Sequence, residues 1–172
     1  MQALYAGDRE RGEALLGEPD VFEAAAFGRL DRLRELLDAD PAPAGAFAPD
    51  GFTALHFAAF FAQPEAAALL LERGADPRAR ARNAMEVEPL HSAAASRQVE
   101  ICRMLLDRGA DPNARQEGGF VALHAAAQNG DEELAALLVE RGADKSLAAD
   151  DGRTAVDIAL QAGHARLADS LA

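Results

Sequence analysis

Three stretches of the chain share one signature: LLLERGADP at residues 69–77, MLLDRGADP at 104–112 and ALLVERGAD at 136–144. In each, an apolar run meets a charged pair and then a glycine: Gly74, Gly109 or Gly142. The middle copy extends upstream as VEICRMLLDRGADP, where Val99, Ile101, Cys102, Leu105 and Leu106 recur at helical rather than alternating spacing. A glycine just past a helix supplies the positive φ that commonly ends it, so each signature reads as a helix terminus. The three glycines lie 35 and 33 residues apart, and the chain therefore repeats itself.

A second motif recurs in phase with the first. TALHFAA begins at Thr53, EPLHSAA at Glu88, VALHAAA at Val121 and TAVDIAL at Thr154. Leu55, Leu90, Leu123 and Val156 are separated by 35, 33 and 33 residues. A period of about 33 with a T-P-L-H-x-A core resembles the ankyrin repeat. The resemblance covers residues 21–172 well and residues 1–20 in part. Neither short helix of a unit could bury its apolar face alone, so stacking must supply the core.

The resemblance implies an all-α ankyrin-repeat solenoid. Each unit would be a helix–turn–helix with a β-hairpin-like finger, and the inner helices would line a concave side. The expected organisation is one domain: a truncated N-terminal cap unit over 1–20, central repeats over 21–147 and a C-terminal cap repeat over 148–172. Phe22 stands at the motif histidine of an earlier unit, and Asp157 replaces that histidine in the last. Glu88 and Val121 replace the motif threonine, which predicts looser turns there. The finger RARARNAMEVE, residues 78–88, is two residues longer than its neighbours and is expected to project.

Bulk properties narrow the function classes. Seventeen basic against 29 acidic residues leave a net charge of −12, a field that repels nucleic acid and anionic lipid. A single cysteine, Cys102, excludes an intramolecular disulfide. No apolar run approaches the roughly 18 residues of a membrane span, and the N-terminal residues carry charges unlike a signal peptide. A cytoplasmic monomer is expected, and the alanine- and arginine-rich composition suggests a bacterial source.

Candidate chemistry is sparse. His56, His91 and His124 share one motif position, so neighbours would sit roughly 8–10 Å apart, the packing distance of helices. Zinc ligands lie about 2 Å from one ion. These histidines are expected to bond the turn backbone, and His164 to be solvated. Cys102 stands at a core position, where a thiol is inert. Asp131, Glu132 and Glu133 read as a solvated charge run at a helix start, as do Asp8, Glu10 and Glu13. No nucleophile elbow or phosphate-binding glycine loop is present, so no enzyme activity, metal or cofactor is expected.

The stretch FTALHFAAFF, residues 52–61, holds four phenylalanines in ten positions and poses the remaining question. The resemblance places the fourth and fifth residues after the motif histidine, and the finger residue before the threonine, on the concave surface. Phe27, Phe52, Phe60, Phe61, Met85 and Val87 would then form one apolar patch, with Phe120 further along. The alternative for Phe60 and Phe61 is space filling beside alanines; Phe57 is expected in the core. Arg78, Arg80 and Arg82 would form a basic finger edge, or else simply solvated loop charges. The expected function is non-catalytic binding of another protein through this groove, with enzyme regulation or self-association as alternatives.

Overall fold

The computed structural model describes residues 19–172. The expected first unit lies outside these residues except for its last two, as do Asp8, Glu10 and Glu13. Ten α-helices form five helix–turn–helix pairs among the described residues: α1 (Val21–Phe27) with α2 (Leu30–Ala39), α3 (Ala54–Phe60) with α4 (Pro64–Glu72), α5 (Pro89–Ala95) with α6 (Val99–Asp107), α7 (Ala122–Asn129) with α8 (Glu132–Glu140), and α9 (Ala155–Gln161) with α10 (Ala165–Leu171). Helices of seven to ten residues are too short to persist alone, so packing must hold them.

Two files of helices run through the stack. The inner helices α1, α3, α5, α7 and α9 pack each on the next, and the outer helices α2, α4, α6 and α8 do the same. The inner file is close-packed on alanine: Ala24, Ala25, Ala58, Ala59, Ala93, Ala94, Ala126 and Ala127 are fully buried. Methyl groups allow near approach of backbones, and larger side chains there would part the repeats. Between the files lies the leucine core, with Leu55, Leu90 and Leu123 facing Leu70, Leu105 and Leu138, all buried.

The glycines of the signature end the outer helices as read. Gly74, Gly109 and Gly142 have φ of 87°, 91° and 92°. The next amide returns to the helix, from Ala75, Ala110 and Ala143 to the carbonyls of Leu70, Leu105 and Leu138 at 2.9–3.0 Å. That bond satisfies a carbonyl otherwise orphaned at the terminus. The turn from inner to outer helix also needs a left-handed residue. Gly28, Gly130 and Gly163 supply it without strain, whereas Ala62 and Arg97 adopt φ of 58° and 61° there.

The fingers stack through single backbone bonds. Arg82 N–H donates to Gly51 O (2.8 Å), Glu117 N–H to Met85 O (3.1 Å) and Asp150 N–H to Gly118 O (2.9 Å). At Gly51 the approach is so close that a Cβ would lie 2.7 Å from the Arg82 backbone. The long finger does not project loosely: Ala81 N–H bonds Val87 O at 2.8 Å, and Asn83 Nδ2 donates to Asp50 O at 2.9 Å. Its extra residues are absorbed within a closed loop tied to the preceding finger.

Candidate functional site: an aromatic groove on the inner helices

The motif histidines clamp one repeat to the next. Each Nδ1 accepts the backbone N–H three residues earlier: Thr53 to His56 at 3.1 Å, Glu88 to His91 at 3.0 Å, Val121 to His124 at 3.0 Å. Each Nε2–H then donates to the following finger, to Val87 O (3.0 Å), Ala114 O (2.9 Å) and Leu147 O (3.1 Å). The turns at Glu88 and Val121 are therefore not loosened, because the backbone amide, present in any residue but proline, makes the bond. Only the hydroxyl contact is lost, which at Thr53 reaches His56 Nδ1 at 2.8 Å. Burial lowers all three imidazole pKa values, that of His56 to about 4. Neutral imidazole fits these bonds, since one nitrogen must accept.

Other expectations shift. Asp131 is buried rather than solvated, because its carboxylate caps α8 by accepting Leu134 N–H at 3.0 Å. His164 packs its ring over Gly130, at the spot a Cβ would occupy, and is half-buried. Burial pushes the Cys102 thiol up to about 12, far from a thiolate nucleophile.

The phenylalanines divide by position. Phe57 is core, edge-on to Phe22 and Phe52 at 6.2 and 5.9 Å. Phe60 is 49% exposed, and its ring stands perpendicular to that of half-buried Phe61, with centroids 5.3 Å apart. Helix α3 is thus buried almost all round, from Ala54 to Ala59, and opens only at its last turn.

Phe52, Phe60, Phe61, Met85 and Val87 line one cavity of about 340 Å³, closed beneath by His56, Phe57 and His91. Met85 is 54% exposed at the rim, while Val87 is buried and forms floor rather than offered surface. The Val87 carbonyl accepts from both Ala81 N–H and His56 Nε2–H, which ties this finger to the preceding inner helix. Phe120 lines a second cavity of about 340 Å³ with Gln116, Gln128, Arg153 and Ile158. The two cavities share His91, Ala95 and Gln116, so the groove is continuous. Phe27 is half-buried and lies on α1, outside both cavities.

The arginines do not form a common edge. Arg78 Nε donates to Gly109 O and Arg80 to Arg115 O, both toward the following repeat. Arg82 turns toward the preceding finger, with its guanidinium 3.8 Å over the Phe47 ring. Asn113, which follows the same Ala-Asp-Pro as Arg78, makes the equivalent link, donating to Gly142 O at 3.0 Å. That parallel in register is the signal by which Arg78 could have been recognised as a stitch between repeats.

A stack of helix pairs clamped by a recurring histidine and joined through turn fingers is a repeat protein built to present one long face. A family profile described as ankyrin repeats (3 copies) matches residues 21–116, and one described as ankyrin repeats (many copies) matches 105–159. The chain belongs to the ankyrin repeat family. Such repeats are generally protein–protein interaction modules and typically non-catalytic. A search of curated proteins returned no significant match. Among the described residues no helix is long and apolar enough to cross a membrane.

Proposed function

We propose that this protein binds another protein through the groove on its inner helices, with the first cavity as the anchor site. The observation that carries the reading is the exposed Phe60 ring, held edge-on by Phe61 beside exposed Met85 over a cavity of about 340 Å³. Aromatic side chains and methionine are enriched in protein interfaces, and rings exposed around a concavity offer large apolar area for a partner to bury. The remaining groove residues set register. The protein acts as a bacterial cytoplasmic monomer without cofactor, its binding being its activity. The net charge of −12 supports a protein rather than nucleic acid as partner.

A displayed peptide library panned against the wild type and against Phe60→Ser/Phe61→Ser tests this. Ligands enriched on the wild type should carry a large apolar residue and lose about 30-fold in affinity for the variant, the scale of one hot spot. Ligands that bind both proteins equally would sink the reading.

A further inference from the structure

The first cavity does not belong to one repeat. Phe52, Phe57, Phe60 and Phe61 come from α3 and the residue pair just before it, whereas Met85 and Val87 come from the finger between α4 and α5. At the floor these two walls are joined by His56, whose Nε2–H donates to Val87 O at 3.0 Å. The outer helices brace this joint less than its neighbours. The Asp38–Arg73 and Asp107–Arg141 ion pairs span the joints before and after it. Glu72 and Arg108, at the same motif positions, enter no ion pair among the described residues. An exposed pair contributes little, yet its absence leaves this joint resting more on the clamp and the finger bonds.

His56 can hold both walls only as the neutral imidazole. Its Nδ1 accepts Thr53 N–H at 3.1 Å and lies 2.8 Å from Thr53 Oγ1, so a proton on that nitrogen would set donor against donor. Burial is the largest influence on the ring and disfavours the cation. Val87 O and Asp50, on the fingers to either side, favour the cation, and His91 on α5 opposes it. Arg80 bears on His91 and on Glu88, whose carboxyl burial pushes up, so acid relieves Glu88 rather than straining it. The closed His56 titrates at about 4, against 6.5 for an imidazole in water. An open joint therefore takes up a proton below about pH 6.5 that the closed joint refuses, and the advantage of closing is lost from there toward pH 4. Linkage makes the ratio of open to closed roughly 30-fold larger at pH 5 than at pH 7.5.

We infer that the joint beneath the aromatic cavity is an acid-sensitive seam: a proton on His56 releases Val87, parts the phenylalanines from Met85 and dismantles the cavity while the helix pairs on either side stay folded. For its consequence this rests on the groove reading above. Binding through the first cavity is then set by pH, full near neutrality and withdrawn as the seam opens.

Amide hydrogen exchange followed by NMR tests the seam on the protein alone. Thr53 N–H is held by His56 itself, and Arg82 N–H crosses the joint to Gly51 O at 2.8 Å. Ala75 and Ala110 N–H, bonded to Leu70 O and Leu105 O, report the outer helices on either side. Corrected for the intrinsic rate, protection at Thr53 and Arg82 should fall roughly 30-fold from pH 7.5 to pH 5. Protection at Ala75 and Ala110 should fall far less. His56→Gln keeps an acceptor and a donor that do not titrate, and it should abolish the difference. Should that variant fail to fold by circular dichroism, His91→Gln and His124→Gln must each leave the fall at Thr53 and Arg82 in place. Equal falls at all four amides overturn the seam, because acid then opens the chain as a whole. So do unchanged protection at Thr53 and Arg82, a fall that survives in His56→Gln, or one that His91→Gln or His124→Gln removes. No ligand enters this experiment, so its failure leaves the groove reading standing, and failure of the peptide panning leaves the seam standing.

Discussion

The repeats of α3 and α7 have almost the same frame and opposite faces. Both inner helices bury their first turns, both carry a histidine bonded to the next finger, and both put the fourth residue after that histidine into the groove. In α3 that residue is Phe60; in α7 it is Gln128, also exposed. The frame positions are fixed by contacts with two neighbours, while the groove position has none to satisfy. The exposed groove position can thus be altered without touching the frame, whereas His56 and Phe57 serve both, being buried in the repeat and lining the cavity.

The largest blow to that separation would fall on the frame. Leu105 is fully buried between the helix files, so Leu105→Ala should cost on the order of 2–5 kcal/mol in a denaturant titration. Groove ligands should still bind the folded fraction. A midpoint like the wild type's would mean that the leucine layer is not the shared frame.

Next comes acid. Burial depresses the three clamp histidines below their usual 6.5, with His56 at about 4. The unfolded chain takes up protons below about pH 6.5 while the fold does not, so stability falls from there toward pH 4. His56 alone accounts for on the order of 2–3 kcal/mol of this loss. His56→Gln should flatten the pH dependence between pH 6.5 and 4; an unchanged slope would remove the histidine from that role.

A smaller effect, with the opposite sign, is expected at Glu88. Its Oε2 is buried without a partner, and desolvation raises its pKa. A raised folded pKa favours the protonated acid, so its contribution is present at low pH and lost as pH rises through the folded value. Glu88→Thr restores the hydroxyl that Thr53 gives its own turn and should add about 1 kcal/mol at neutral pH. Thermal melts at pH 7 should rise by a few degrees, and the gain should shrink in acid.

The smallest change in stability should come from the groove. Phe60→Ser removes a ring that is 49% exposed, so unfolding should move by no more than about 0.5 kcal/mol. Half-buried Phe61 should cost more when changed to serine, since part of its ring packs. Equal losses for the two would show that they are not divided between surface and core.

Much of this frame was written in the spacing of identical residues. Gly74, Gly109 and Gly142, the histidines at one phase and the leucines around them each predict a recurring contact, and recurrence multiplies a weak local signal. What spacing could not disclose were the departures. The fate of Phe60 against Phe61 depends on which of two adjacent residues the last turn of α3 aims outward. The arginines of the long finger look alike in sequence, yet Arg82 turns back to Phe47 while Arg78 and Arg80 reach forward. Val87 is buried in the floor while Met85, two residues earlier, is 54% exposed at the rim, a division that hydropathy does not encode. Asp131 looked like part of a surface charge run because its role, capping α8, depends on where the helix begins.

The links between repeats have a kinetic consequence. The Asp38–Arg73 and Asp107–Arg141 ion pairs join residues 35 and 34 apart, and the His56 clamp reaches 31 residues onward. Among the described residues the helix pairs pack on their immediate neighbours in the stack, which keeps contact order low and the loops to be closed short. Two adjoining repeats can then serve as a nucleus wherever they first meet, and growth proceeds by docking one unit at a time. Folding speed is set by the best-matched pair of neighbours, independent of what the groove is built to hold.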